Sequence, residues 1–222
     1  MNYVMISVEG QTEETFVRDI LTSHLQNFGV YPTAVILTTS RTPQGEKYKG
    51  GIIPFIKAQL EITSLLRNTN AIAVTTMYDL YKLSNDFPGY GTRPTRNGLV
   101  KALYLEEKFY TEIGQARFHP YLQVHEYEAI CFVDPAITTE VLLDKNKLAI
   151  LTHIRKQFDS PEDINDGENT SPSKRILEIF PGYQKPTDGS QIANRIGLEK
   201  IRTECQHFNE WLTWLEGLGK KT

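Results

Sequence analysis

The chain has only two cysteines, Cys131 and Cys205, which lie far apart and outside any short metal-binding spacing. This excludes a disulfide scaffold and a zinc ribbon. No apolar run approaches the roughly 18 to 20 residues that cross a bilayer, and the start of the chain does not resemble a secretory signal. These absences predict a soluble, cytoplasmic protein with two free thiols and no membrane partner.

An excess of positive charge is also missing. The 24 lysines and arginines face 27 aspartates and glutamates, so the formal net charge is −3. This excludes a free-standing, tight nucleic-acid binder of the histone type. The chain also lacks GxxxxGK[ST] after its second predicted strand, which excludes a nucleotide P-loop there. Its 222 residues suffice for one large domain, or for one domain with a small appendage.

Short apolar runs alternate with stretches of helical periodicity. Strands are predicted at 3–8, 33–39 and 71–79 and within 118–133, and helices after residue 12 and near 51–67 and 97–113. This alternation predicts βαβ units and a mainly parallel central sheet with flanking helices. After Pro135 the pattern changes to helices and polar turns. We therefore predict an α/β core at 1–134 and a helical C-terminal extension at 135–222 that packs on it.

Acidic residues follow the ends of three predicted strands. Glu9 follows the first strand, Asp79 ends the third, and Glu126 and Glu128 lie at or after the fourth. In a parallel sheet these strand ends share one edge, where ligands bind. Glu13 continues the helix face that packs on the sheet, so its carboxylate is expected to point toward Glu9.

Converging carboxylates repel one another unless a cation lies among them. Ligand sets made only of oxygen suit Mg²⁺ or Mn²⁺, which promote displacement at phosphorus. The pattern therefore predicts a metal site. The alternative is that these acids only complement helix dipoles, which favour acids at helix N-termini.

The segment VEGQTEETFV, residues 8–17, resembles the first motif of the Toprim fold. That fold is the catalytic module of topoisomerases, bacterial primases, ribonuclease M-type maturases and OLD-family nucleases. Glu13 is similar to the second acid of the OLD-type version, and the resemblance implies that Asp79 begins the family's Asp-x-Asp motif. The sequence departs from that motif at Tyr81. The acids available to replace the missing aspartate are Asp86, Glu126 and Glu128.

The whole chain resembles a bacterial family of Toprim-like proteins. The segments VEGQTEETF, YDLY, DFPG, HEYEA, PEDIN and PSKRI occur in this order, and the end of the chain carries Cys205, Phe208 and Trp211 at the family's spacing. Genes of that family are often found beside ATPase genes. The resemblance therefore implies an ATPase partner and a role in defence against foreign DNA.

Basic residues are concentrated in two segments. Lys174 and Arg175 follow the cap of a predicted helix, where the dipole disfavours cations, so we predict a functional role for them. Lys174 is expected to offset charge at phosphorus. The residues predicted to contact nucleic acid are Arg41, Lys47, Lys49, Arg175 and Lys185.

Together these features predict a Mg²⁺- or Mn²⁺-dependent nuclease that acts on DNA. Glu9 would be the principal ligand or the general base, and Lys174 the second catalytic residue. The predicted metal ligands are Glu9, Glu13, Asp79, Asp86 and Glu128. A binding subunit that lost the metal, an RNA-processing nuclease and association as a homodimer remain open alternatives.

Overall fold

A parallel sheet lies between two layers of helices. The computed structural model describes residues 1–38, 40–41, 47–48, 52–95, 97–124, 126–164 and 170–220. Its strands are β1 (Asn2–Val8), β2 (Val30–Ile36), β3 (Ser40–Arg41), β4 (Lys47–Tyr48), β5 (Ala73–Asp79), β6 (Phe118–His119) and β7 (Leu122–Gln123).

The central sheet has the strand order β2-β1-β5-β6, and β7 also pairs with β5. All of these pairs are parallel, while β3 and β4 form a separate antiparallel pair. Val8 at the end of β1 is in register with Met77 on β5. The chain therefore leaves both strands at the same edge of the sheet, which confirms the predicted α/β fold with a mainly parallel sheet.

Helices cover both faces of this sheet. They are α1 (Gln11–Phe16), α2 (Thr22–Gln26), α3 (Phe55–Asn68), α4 (Gly98–Ile113), α5 (Pro135–Val141), α6 (Leu148–Arg155), α7 (Pro172–Ile179), α8 (Ser190–Ile196), α9 (Leu198–Glu204) and α10 (Gln206–Gly217). π-Helical turns occur at Val17–Leu21 and Lys185–Gly189, and a 3-10 helix spans Tyr127–Phe132. Within the described part of the chain, no helix combines the length and apolar character that a membrane span requires.

Side-chain alternation along the strands divides the core between the two faces. Val74 and Tyr78 of β5 are buried on the face that packs against α3 and α4. Ala73 and Met77, one position away, are buried on the other face with the first helices and the C-terminal helices. Because successive strand residues point to opposite faces, one fully buried strand serves both layers.

The last helix anchors the C-terminal layer to the sheet. Trp211 on α10 is 2% exposed, and its Nε1 donates to Thr75 Oγ1 on β5 at 3.0 Å. Its ring stacks on Tyr121, with 4.5 Å between the ring centroids. The Trp211 ring therefore packs in the core, and its indole N–H has a hydrogen-bond partner.

His207, near the start of α10, is a second anchor. Its Nε2 lies 2.9 Å from Glu106 Oε1 on α4, and its backbone N donates to Glu162 Oε2 at 3.0 Å. Burial lowers the pKa of His207, but the Glu106 hydrogen bond and the charges of Glu106, Glu162 and Glu210 outweigh it and raise the pKa above its ordinary value. The surroundings of His207 therefore stabilise the protonated form of its ring.

Three predicted elements differ from the structure in their bounds or their type. The second strand begins at Val30 rather than at residue 33, because β2 is an edge strand and an edge strand tolerates Pro32. The apolar run 118–133 forms only β6 and β7 before the 3-10 helix, since Pro120 has no N–H for the ladder. The first helix begins at Gln11 rather than after residue 12, and Gly10 holds its N-cap position.

Candidate metal centre

Four predicted metal ligands are buried around the edge where β1 and β5 end. Glu9 follows β1, Asp79 is the last residue of β5, Glu13 is in the first turn of α1, and Glu128 is in the 3-10 helix that follows β7. Their exposed fractions are 6% for Glu9, 1% for Asp79, 2% for Glu13 and 4% for Glu128. Acidic side chains are rarely buried to this extent without a partner.

Lys185 places its ammonium group among these acids. Its Nζ lies 3.4 Å from Glu13 Oε1, 3.6 Å from Asp79 Oδ2 and 3.3 Å from Glu128 Oε2. The fourth acid, Glu9, has the Nζ of a different lysine, Lys82, 4.0 Å from its Oε1. Three carboxylates therefore share one ammonium group.

The π-helical turn that carries Lys185 packs closely on Tyr127 and Tyr183. A Cβ atom at Gly189 would lie 2.8 Å from the Tyr183 hydroxyl oxygen and 3.2 Å from Tyr127 Cε1. The Tyr127 hydroxyl donates to the Gly189 carbonyl at 3.4 Å. The absence of a Cβ at Gly189 thus lets the backbone of this turn lie against the two tyrosines, which positions Lys185 beside the acids.

Several carboxylate oxygens of this cluster have no hydrogen-bond partner among the described residues. They are Glu9 Oε2, Glu13 Oε1, both oxygens of Asp79 and Glu128 Oε2. Lys185 is at ion-pair distance from three of these atoms, whereas Glu9 Oε2 and Asp79 Oδ1 have no ion-pair contact with it. A buried polar atom without a partner costs free energy, so these oxygens point to a ligand that would complete them.

The pKa values reflect the same imbalance. Burial, with the charge of Glu13 adding to it, raises the pKa of Glu9 to about 7. Burial also raises the pKa of Asp79 well above its ordinary value and raises that of Glu128. Burial lowers the pKa of Lys185, but the surrounding carboxylates outweigh it and hold the pKa well above its ordinary value. The carboxylates therefore stabilise the charged form of Lys185, while one ammonium group lies among three carboxylates.

The chemistry of this donor set fits Mg²⁺ or Mn²⁺, because every candidate ligand is a carboxylate oxygen. As the side chains stand, no group of three or more acidic, histidine or cysteine side chains within the described ranges converges on a single ion position. The Lys185 ammonium occupies the space between three of them. Metal binding therefore requires Lys185 to withdraw and the carboxylates to turn inward.

The other predicted acids have structural partners elsewhere. Asp86 is exposed, and both of its carboxylate oxygens accept the Phe55 backbone N–H at 3.1 Å, which caps the start of α3. Glu126 Oε2 accepts the Ser173 backbone N–H at 2.9 Å in the first turn of α7. Both carboxylates thus complete helix N-termini, a role that the dipole favours.

The structure describes the side chains of three predicted basic residues, Lys174, Arg175 and Lys185. Lys174 is exposed and forms no ion pair with a residue that the structure describes. Arg175 Nε donates to the Thr170 carbonyl at 2.7 Å. The predicted nucleic-acid contacts of Arg41, Lys47 and Lys49 involve side chains outside the described part of the chain. Lys185, expected to contact nucleic acid, is the cation of the acidic cluster.

The fold and the site define an α/β protein with a buried carboxylate cluster at the carboxyl edge of a parallel sheet. The chain belongs to the family described as "Domain of unknown function (DUF4276)", whose model matches residues 8–216. No curated protein sequence matches it.

Two solved structures are similar to this chain. The C-terminal region of the Burkholderia pseudomallei OLD protein is 14% identical with a TM-score of 0.48, over 97% of this chain and 99% of that one. The C-terminal region of the Xanthomonas campestris pv. campestris OLD protein is 14% identical with a TM-score of 0.43, over 95% of this chain and 96% of that one.

Proposed function

We propose that the protein is a Toprim-type nuclease that hydrolyses phosphodiester bonds, with DNA as the favoured substrate and Mg²⁺ or Mn²⁺ as the cofactor. The observation that carries this proposal is the set of buried carboxylate oxygens without hydrogen-bond partners on Glu9, Glu13, Asp79 and Glu128. Ordinary dipole-favoured acids would be exposed or hydrogen-bonded, as Asp86 and Glu126 are.

The four acids would hold the ion, with Glu9 and Asp79 supplied by adjacent strands. A bound ion activates water and stabilises the leaving oxygen of a phosphodiester. If Glu9 is instead the general base, the other three acids would hold the ion and the Glu9 carboxylate would take the proton of the attacking water. In the metal-free cluster, burial and the charge of Glu13 raise the pKa of Glu9 to about 7. Lys185, once withdrawn from the acids, would offset negative charge at phosphorus in place of Lys174.

A second candidate function is a binding subunit in which Lys185 replaces the metal permanently. The three ion pairs of Lys185 favour this alternative, because an internal ammonium group already compensates part of the acidic charge. Such a subunit would neither bind a divalent ion nor cleave nucleic acid.

Cleavage of supercoiled plasmid and of a structured RNA in the presence of Mn²⁺ tests the proposal. Asp79→Asn is expected to abolish plasmid nicking. Asp86→Asn is a matched change outside the cluster whose amide oxygen can still accept the Phe55 N–H, so it is expected to leave nicking intact. Equal nicking by the two variants would contradict the nuclease assignment. Cleavage of RNA alone would favour the RNA-processing alternative.

We also propose that the protein works with an ATPase partner and that the two act in defence against foreign DNA. Co-expression with an ATPase encoded beside the gene tests this part. Plasmid cleavage is then compared with and without ATP, with Asp79→Asn as the control for contaminating nuclease. Cleavage that does not change with the partner and ATP would contradict the two-component arrangement.

A further inference from the structure

Gln123 is a buried polar residue at the edge of the sheet where the candidate metal centre lies. It is the last residue of β7, and it is 6% exposed. Its side-chain oxygen, Oε1, has no hydrogen-bond partner among the residues that the structure describes. A buried amide oxygen without a partner costs free energy, so this atom points to a ligand that would complete it.

The strand register places Gln123 beside Asp79. Strands β5 and β7 are parallel, with Tyr78 in register with Leu122 and Asp79 in register with Gln123. Tyr78 and Leu122 are both buried on the face that packs against α3 and α4. Because successive strand residues point to opposite faces, Asp79 and Gln123 both point to the other face, from strands about 4.8 Å apart. The side chains of Gln123 and Asp79 are therefore neighbours.

Two other acids of the cluster belong to elements that pack on this same face. Glu13 is on α1, which packs there through Phe16, and Glu128 is in the 3-10 helix after β7, which packs there through Tyr127. Gln123 thus faces the layer that supplies two of the candidate ligands and lies next to a third. The unpartnered amide oxygen and the unpartnered carboxylate oxygens are therefore found at one edge and on one face of the sheet.

Gln123 also borders a small cavity. Its volume is about 20 Å³, and the residues that line it include Glu126, Glu162 and Cys205. A cavity needs roughly 10 to 15 Å³ to hold one water molecule, so this one has room for a single water. Such a water is the structural alternative, because it would donate a hydrogen bond to Gln123 Oε1 without any role for a metal.

We propose that Gln123 is a further ligand of the divalent ion and binds it through Oε1. The inference rests on the proposed function, because it adds a residue to that metal centre. A carbonyl-type oxygen suits Mg²⁺ or Mn²⁺, as carboxylate oxygens do. The acids of the cluster already repel one another, so a neutral oxygen adds a ligand without adding repulsion. The end of β7 would then supply a ligand as the ends of β1 and β5 do.

Isothermal titration calorimetry with Mn²⁺ alone tests this inference without cleavage. Gln123→Met keeps a side chain of similar length but removes the oxygen. It is expected to weaken Mn²⁺ binding roughly tenfold or more, since even the loss of residues that only support ligands weakens metal binding by about that factor. Gln123→Glu keeps an oxygen at this position and should bind Mn²⁺ at least as tightly as the wild type. Equal loss of affinity in both variants would overturn the role of the oxygen.

The matched control is Gln115→Met, the same substitution at an exposed glutamine before β6, at the opposite edge of the sheet. Its Mn²⁺ affinity should equal that of the wild type.

Thermal unfolding in EDTA separates a metal ligand from a structural residue. Replacing an unpartnered buried oxygen by an apolar group of the same shape is nearly neutral or stabilising, so Gln123→Met should melt at or above the wild-type Tm. A lower Tm with unchanged Mn²⁺ affinity would overturn the inference in favour of a buried water. If Gln123→Met does not fold, Gln123→Asn, which withdraws the oxygen by one methylene, takes its place. Wild-type affinity in that variant would also overturn the inference.

Asp79→Asn in the same titration distinguishes this inference from the proposed function. Weak Mn²⁺ binding by Asp79→Asn together with wild-type binding by Gln123→Met would refute the role of Gln123 and leave the metal centre intact. A wild type that binds no Mn²⁺ would overturn both.

Discussion

Replacing Lys185 by methionine removes the one cation that contacts three buried carboxylates. Breaking a buried ion pair by removing one partner typically costs about 3 to 5 kcal/mol, because the remaining charge stays buried. The Lys185 side chain is 30% exposed and the acids can take up protons, so we expect the lower end of that range, about 3 kcal/mol. For a chain of this size that corresponds to a fall in Tm of about 6 to 12 °C.

Thermal unfolding near pH 7 in EDTA measures the effect, with Lys82→Met as the matched control. Lys82 is about as exposed as Lys185 but makes a single contact with the cluster, 4.0 Å from Glu9, so its loss should cost less than about 1 kcal/mol. Adding Mn²⁺ should raise the Tm of the Lys185 variant more than that of the wild type, because the ion no longer competes with an ammonium group. If Lys185→Met melts like the wild type in EDTA, Lys185 does not compensate the acids and the reasoning fails.

Three further substitutions test contacts that stabilise the fold. Glu106→Gln removes the charge that raises the pKa of His207. A histidine with a raised folded-state pKa stabilises the protein fully below its ordinary pKa, and this stabilisation is lost as the pH rises through the folded-state pKa. The variant should therefore lose more free energy of unfolding, measured with urea, at about pH 6 than at about pH 8.5. Trp211→Phe deletes the hydrogen bond to Thr75 and should lower the free energy of unfolding by about 1 to 2 kcal/mol in the same assay. Gly189→Ala places a Cβ 2.8 Å from the Tyr183 hydroxyl oxygen and 3.2 Å from Tyr127 Cε1, which should cost about 1 to 3 kcal/mol by thermal unfolding.

Local sequence patterns were sufficient to predict the fold class and the positions of three acids. Glu9 and Asp79 follow apolar strands, and the rule that parallel strand ends share an edge brings them together. Helical periodicity then directs Glu13 toward the sheet. Glu128 was predicted at or after the end of the fourth strand, and it lies in the 3-10 helix that follows β7.

The cation of the cluster could not be predicted from local patterns. Lys185 lies more than fifty positions from each of its acidic partners, and no periodicity relates a polar turn to a distant strand end. The dipole argument favoured Lys174 instead, which is exposed. Lys82 had a weak signal that was missed, since it follows Asp79 by one turn of 3-10 helix. Contacts between segments depend on how the C-terminal layer docks, which only the folded structure shows.

Mn²⁺ binding measured by isothermal titration calorimetry tests the central claim most directly. The wild type is compared with Glu9→Gln and Asp79→Asn, which change one carboxylate on each of two adjacent strands. The account predicts that the wild type binds Mn²⁺ and that both variants lose most of the affinity, because one ion needs oxygens from both strand ends. A wild type without measurable binding, or variants that bind as well as it does, would contradict a metal centre at this edge of the sheet.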